Sequence, residues 1–306
     1  MFNREPVAWV LNLDAEDELA HVGAHTPALA LKARVEALLP TLRESGLVAP
    51  DDVVVWPGAA DARWLEGRAW CPTRWALAQL AQAGATVPRA PSVEVLLRVN
   101  HRQFANALGQ ALPGAGFAQN AEELEALLAR GADASAEQCW VLKRPLGYAG
   151  RGRRKILASA RLPADDAWID ASLRAGGLQV EPWVQRELDV GLHGFVDETG
   201  VLTSGRPTVQ AIDAHGTWRS SRIAEPGVLS PEEFDLLQRA LEQTARALHD
   251  AGYFGPLGLD AFRWRAPDGA AAFQPRCELN ARYSMGWAIG MGGSPPSGQD
   301  LAHAIE

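Results

Sequence analysis

No stretch of the 306-residue chain approaches the ~18 consecutive apolar residues of a membrane span. Cysteine is scarce: Cys71, Cys139 and Cys277 are odd in number, widely spaced and without a CxxC pair. That argues against a disulfide framework and against a thiolate zinc site. Positive charge is in deficit, with 29 Lys+Arg against 37 Asp+Glu and a formal net charge of −8, which argues against nonspecific nucleic-acid binding as the main activity. The opening MFNREPVAWVLNL carries an acidic residue and runs straight into strand-like sequence, unlike a secretory signal. With so few cysteines, a reducing cytoplasm is the expected compartment. No internal repeat occurs.

What is present is ordinary globular material: 47% hydrophobic residues, and a length that suits one large or two to three small domains. Val7–Leu13 reads as a buried strand, followed by an acidic loop and a helix over Leu29–Arg43. Asp51–Trp56 is a second strand, and Pro72–Ala83 a helix started by Pro72 or Thr73 and stopped by Gly84. This alternation predicts a small leading α/β domain. His21 and His25 sit after the first strand, where a ligand crevice or plain solvent would account for them. Helices follow within 93–110 and over Glu122–Arg130; Pro231–Asp250 is the clearest, with Ser230 as N-cap, Pro231 in the first turn, Glu233 completing a capping box and Gly252 ending it. Of the 11 tryptophans, Trp183 and Trp287 lie where a ligand contact is conceivable; the rest read as packing.

Two stretches carry chemistry. In the first, Val141–Leu142 leads into KRPLGYAGRGRRKIL, a strand, a glycine-rich loop and a strand. Gly147, Gly150 and Gly152 let backbone approach a ligand closely, and Arg151, Arg153 and Arg154 flank them, a place for phosphate oxygens despite the global charge. No helix follows directly and no GK[ST] is present, so neither a P-loop nor a Rossmann fingerprint fits. The second is Gly255–Gly286, where Ala266-Pro267-Asp268-Gly269 separates two extended runs and predicts a hairpin. Glu278 and Asn280 project together, and pairing across the turn would bring Asp260 to the same face. Three hard oxygen donors with Arg282 beside them suit magnesium carrying phosphate; a solvated polar face is the plainer reading.

Taken in order, Lys143 before a glycine-rich loop, Glu181-Pro-Trp-Val184, Glu187, then Asp260 and Glu278-Leu-Asn280 resemble the ATP-grasp superfamily over roughly residues 95–290. The resemblance implies an α/β (α+β) fold in three parts: an N-terminal α/β domain over 1–92, a lid subdomain over 93–180 with the glycine-rich loop, and a C-terminal mixed-sheet subdomain over 181–306 with the metal site. It implies that Lys143 neutralises the α- and β-phosphates, and that the loop of Gly147, Gly150 and Gly152 closes over them. Glu181 and the backbone around Trp183 and Val184 would read adenine, with Pro182 removing one donor. Glu187 matches the ribose-binding carboxylate of the D-alanine–D-alanine ligase branch. Asp260, Glu278 and Asn280 would hold two magnesium ions, with manganese as a substitute. Arg282 matches an arginine of the biotin carboxylase and carbamoyl-phosphate synthetase branch and would stabilise the charge developing in the reaction.

Two positions depart from the pattern. An earlier family lysine is replaced in RVNHRQF by Arg98 or Arg102, and the ligase branch's arginine two residues before the first metal carboxylate is Gly258 here. Arg219 or Arg222 offers a second phosphate contact or is a surface arginine. The implied activity is ATP-dependent joining of a carboxylate to an amine through an acyl phosphate, releasing ADP and phosphate; alternatives are a small-molecule kinase on the same fold or a nucleotide-binding regulator without turnover. Partners are small-molecule or peptide carboxylates and amines, with no nucleic acid and no membrane, and a homodimer is compatible. The loop after Arg282 would line the acceptor site, where Tyr283, Met285 and Trp287 form an apolar wall or simply core, and Cys277 reads as a buried filler.

Overall fold

The computed structural model describes residues 5–21, 29–58, 61–131, 138–147, 150–213 and 218–293. His25 and the short helix expected near the C-terminus lie outside them. No helix among the described residues is long and apolar enough to cross a membrane.

The N-terminal unit is built on β1 (Val7–Val10), whose four residues are all buried. It lies between β2 (Val53–Val54) and β3 (Glu66–Ala69), parallel to both. Parallel pairing requires crossovers, supplied by α1 (Ala15–Ala20) and α2 (Leu29–Glu44) before β2; α3 (Arg74–Gln82) follows β3. The Thr73 hydroxyl caps α3 by accepting from the Ala76 N–H, and Gly84 leaves it at φ +81°. Where the sequence predicts an acidic loop, α1 forms instead. Its Glu16 and Glu18 are buried because partners distant in sequence receive them: Arg282 donates to Glu16, and the Thr73 hydroxyl and Trp75 N–H donate to Glu18. Strand β3, a polar EGRA sequence, also went without a sequence signal.

Two short helices, α4 (Val93–Asn100) and α5 (Arg102–Ala107), are separated at His101, which takes extended backbone with ψ 127°. They lead to a four-stranded antiparallel sheet in the order β4 (Gly116–Ala118), β7 (Leu178–Pro182), β5 (Cys139–Lys143), β6 (Arg153–Leu157). Alternate residues Trp140 and Leu142, with Leu178 and Val180, form a buried cluster with Leu124, Leu127 and Leu128 of α6 (Ala121–Arg130) and Ile169 of α7 (Pro163–Arg174). The sheet's hairpin, Lys143 paired to Arg153, presents the glycine-rich loop.

The third sheet runs β11 (Trp218–Ile223), β10 (Thr208–Ile212), β8 (Gln185–Val196), β12 (Gly255–Arg265), β13 (Ala271–Asn280), with β9 (Leu202–Ser204) also on β8. The hairpin expected across Ala266–Gly269 is β12–β13, and Gly269 supplies the positive φ of +83° that its turn requires. Leu192, Leu259 and Leu279 face each other across β8, β12 and β13 and share one core with Leu237, Leu241 and Leu248 of α8 (Pro231–Asp250); each such leucine contributes ~2 kcal/mol by leaving water. The same core takes in Trp9 of β1, which meets Tyr283 edge-on at 5.2 Å, and Tyr283 meets Trp287 of α9 (Trp287–Met291) at 5.0 Å. The first strand is thereby packed against the segment that follows the hairpin.

Candidate active site

If the leucines of β8, β12 and β13 face the core, strand alternation turns their neighbours to the other side. Asp260 pairs with Glu278 and with Gly191 in one row; Gly258 pairs with Asn280 and with His193 in the next. Asp260, Glu278 and Asn280 therefore share a face, as the sequence predicts. Asp260 accepts from Gln210 Nε2 at 2.7 Å on one oxygen and from Asn280 Nδ2 at 3.3 Å on the other. Burial, with the Glu278 charge beside it, pushes the Asp260 carboxyl up to about 6. Burial would raise Glu278 as well, but Arg102, Lys143 and Arg282 outweigh it and hold that carboxyl below its ordinary value.

Two cations converge on this row from the other elements. Arg102, the first residue of α5, sets Nη2 2.8 Å from Glu278 Oε1, while its Nε is buried without a partner among the described residues. Of the two arginines considered for the missing lysine, Arg98 is exposed on α4 and Arg102 is the one at the site. Lys143, at the end of β5, is 8% exposed and places Nζ 2.7 Å from Glu181 Oε2; Gln179 Nε2 donates to the other Glu181 oxygen at 2.7 Å. The glycine-rich loop begins beside them: Pro145 accepts from the Arg102 N–H at 2.9 Å, and the Arg144 N–H donates to Gly152 at 2.7 Å. Gly150 and Gly152 take φ of +78° and +71°, which L side chains avoid. At Gly147 a Cβ would sit 2.7 Å from the Arg151 carbonyl.

Beyond Lys143 a cleft opens between the two larger sheets, lined by Asn106, Leu112, Gln179, Glu181, Gln274, Arg276 and Cys277 among others. Glu181 lies on its wall, and Cys277, read as a filler, is half-buried there with its thiol pushed up by burial. The Trp183 N–H is already given to the Cys139 carbonyl at 2.8 Å, and Glu181 and Pro182 are paired to Val141 and Trp140 in the β5–β7 ladder. The Trp183 ring is 44% exposed and carries the Lys155 ammonium 3.8 Å from its centroid. Glu187, matched to the ribose-binding carboxylate, accepts from both Nε and Nη2 of Arg265 on Oε1.

Arg282 is buried, with Nε 2.6 Å from Glu16 Oε1 and Nη1 2.9 Å from the Tyr283 carbonyl. Its charge is nonetheless felt at both Asp260 and Glu278. Arg219 pairs with Asp213 at 2.7 Å, Arg222 is exposed, and Trp287 and Tyr283 are core rather than an open apolar wall. Three participants went unread in the sequence: Gln210, which holds Asp260; Gly191, where a Cβ would stand 2.7 Å from Gln210 Nε2; and Glu16, which holds Arg282. The only local signal is the GLHG run, in which Gly191 and His193 share the face of Asp260.

Two carboxylates forced together while burial opposes their charge, an adjacent amide and an orphaned arginine N–H fit a hydrated divalent cation shared with phosphate oxygens. Among the described residues no cluster of three His, Cys, Asp or Glu exists for an all-protein metal cage.

No protein-family model and no curated protein matches the sequence. Solved structures do match in three dimensions. The biotin carboxylase–beta-gamma-ATP complex from Campylobacter jejuni aligns over 97% of this chain and 73% of its own, at 13% identity and TM-score 0.54. The biotin carboxylase domain of 2-oxoglutarate carboxylase from Hydrogenobacter thermophilus, solved with MgADP, ADP and bicarbonate, aligns over 97% and 72%, at 13% identity and TM-score 0.50. Pyruvate carboxylase from Rhizobium etli aligns over 92% of this chain and 26% of its own, at 15% identity and TM-score 0.52. The fold of this chain is that of the ATP-grasp superfamily.

Proposed function

We propose that the chain is an ATP-dependent carboxylate–amine ligase. The observation that carries this reading is the convergence of Lys143, Arg102 and the Asp260–Glu278–Asn280 face, contributed by four separate elements, beside a narrow cleft lined by Arg102 and Glu278 and next to the start of a glycine-rich hairpin loop. The ATP and MgADP complexes among the structural neighbours support a nucleotide in that cleft.

In this reading a substrate carboxylate oxygen attacks the γ-phosphorus of ATP, ADP departs, and the amine displaces phosphate from the acyl phosphate. Such chemistry asks the protein mainly for positioning and charge neutralisation. Lys143 and Arg102 would answer the phosphate charge, with Glu181 and Glu278 holding them until it arrives. Glu181 and the backbone around Val184 would receive the base. Asp260, Glu278 and Asn280 would hold magnesium, which when bound neutralises phosphate oxygens. Arg282, steadied by Glu16, would contribute a fixed positive field to the same row.

Release of ADP from magnesium-ATP in the presence of pooled carboxylates and amines tests the reading. Glu278→Gln is expected to lower the rate by at least about 100-fold while leaving the melting temperature close to wild type, because electrostatic stabilisation by one such group has that size. A stable phosphorylated product in place of an amide would mean a kinase. Full activity of Glu278→Gln would remove the metal assignment.

A further inference from the structure

Arg276 lies on β13 two residues before Glu278 and is 5% exposed. A buried cation is costly without an opposite charge, yet its acceptors are all neutral. Nη2 donates to the Gly109 carbonyl at 2.6 Å, and Nη1 donates to Thr244 Oγ1 at 3.2 Å and Gln243 Oε1 at 3.4 Å on α8. The Thr244 hydroxyl gives its own proton to the Ala240 carbonyl at 2.7 Å, so its oxygen can accept. Burial pulls the Arg276 guanidinium down to about 10, which leaves it charged at neutral pH.

The Gly109 carbonyl is the middle one of three held in a row. Gln243 Nε2 donates to the Leu108 carbonyl at 3.1 Å, and Gln274 Nε2 donates to that of Gln110. These carbonyls form the turn that directly follows α5. Gly109 takes φ +78° there and Gln110 φ +59°, a region that a residue with a side chain occupies only where its surroundings impose it.

Helix α5 has no fully buried residue; Phe104 and Ala105 touch the core from partly buried positions. Six residues are too few to form a stable helix alone, and so little burial does not fix their place. Polar contacts with β13 and the residue after it do so at three levels. Asn100 exchanges two hydrogen bonds with Ala281, at 3.4 and 3.1 Å. Arg102 meets Glu278, and at the far end Arg276 and Gln274 hold Gly109 and Gln110. The planar fork of an arginine can span the turn and α8 together, which the single ammonium of a lysine does not.

We propose that Arg276 is a positioning residue: by gripping the 108–110 turn it fixes α5, and so holds Arg102 at Glu278 where the phosphates are received. It acts through Arg102 and touches no phosphate itself. The assignment rests on the nucleotide site of the reading above.

A double-mutant cycle between Arg276 and Arg102 tests it, since residues that act through one another are not additive. Binding of a non-hydrolysable ATP analogue with magnesium is followed by calorimetry. Arg102→Gln is expected to weaken it about 10-fold, the scale of one charged hydrogen bond. Arg276→Gln should weaken it about 5-fold, and adding Arg102→Gln to that variant should cost less than about 2-fold more. Without nucleotide, the fall in melting temperature caused by Arg102→Gln should shrink to less than half in the Arg276→Gln background. Additive changes in either measurement overturn the proposal and make Arg276 an independent packing or cleft residue. If Arg276→Gln does not fold, Gln243→Ala takes its place in both cycles; it removes the donor to Leu108 and an acceptor of Arg276 at a half-buried helix position that alanine suits. Failure of the wild type to bind the nucleotide overturns the nucleotide reading instead, and the melting cycle then decides alone whether Arg276 places Arg102.

Discussion

Asp260 and Glu278 stand opposite one another in a single register position, yet their carboxyls are displaced in opposite directions. Glu278 has Arg102 and Lys143 to answer its charge, while Asp260 has only the amides of Gln210 and Asn280 in direct contact. A carboxyl raised in the folded chain binds its proton more tightly there than in the unfolded chain. Its contribution therefore favours folding at low pH and is lost as pH climbs from 3.8 to about 6. Above that window an ionised Asp260 costs ~3 kcal/mol, because each tenfold change in proton affinity is worth about 1.4 kcal/mol. Asp260→Asn is accordingly expected to recover most of this, about 2 kcal/mol in urea denaturation near pH 8, and the gain should vanish near pH 4. An equal gain at both pH values would locate the effect in packing rather than ionisation. Magnesium should then stabilise the wild type and not the variant, since a ligand that binds only the folded state raises its stability.

At the scale of elements, the β12–β13 hairpin and helix α8 were legible because their signals are local: Asp-Gly in the turn, strict alternation in the arms, and Ser230, Pro231 and Glu233 at one helix start. Helix α1 was not, because its Glu16 and Glu18 look like solvated charges until partners 266 and 55 residues away are in place. Helix α7 is a different failure. Pro163 in its first turn and Asp165 accepting from the Leu162 N–H at 3.1 Å are ordinary local start signals. The site divides the same way: Asp260, Glu278 and Asn280 follow from alternation, whereas Gln210 reaches Asp260 across two intervening register steps of β8 and β10 that no pattern announces. Gly191 is what leaves it room. Gly191→Ala, which puts a methyl group 2.7 Å from Gln210 Nε2 and 3.0 Å from Thr208 Oγ1, is expected to cost about 1–3 kcal/mol as overpacking. It should also weaken magnesium-dependent stabilisation, because the displaced Gln210 no longer holds Asp260. A variant as stable as wild type, with unchanged magnesium response in thermal melts, would dismiss this role for the glycine.

Across the whole molecule, the N-terminal unit and the hairpin are joined at one ion pair as well as by the aromatic contact of Trp9 with Tyr283. Arg282 continues directly from β13, and Glu16 Oε1 receives it from the opposite side of the chain's sequence while Glu16 Oε2 is buried without a partner among the described residues. This asymmetry makes Glu16→Gln a clean probe. The glutamine carbonyl can keep the place of Oε1, its amide takes the place of Oε2, and only the charge is lost. Breaking a buried pair outright costs about 3–5 kcal/mol, so retaining one hydrogen bond should limit the loss to roughly 2 kcal/mol. If the pair also steadies Arg282 for the phosphoryl group, kcat for ADP release should fall while KM for ATP changes little, because the cleft lined by Glu181 and Lys143 beside it are untouched. Glu16→Asp, which restores the charge at a shorter reach, should then recover kcat in part. Loss of stability with unaltered kcat would confine the pair to clamping the N-terminal unit onto the sheet.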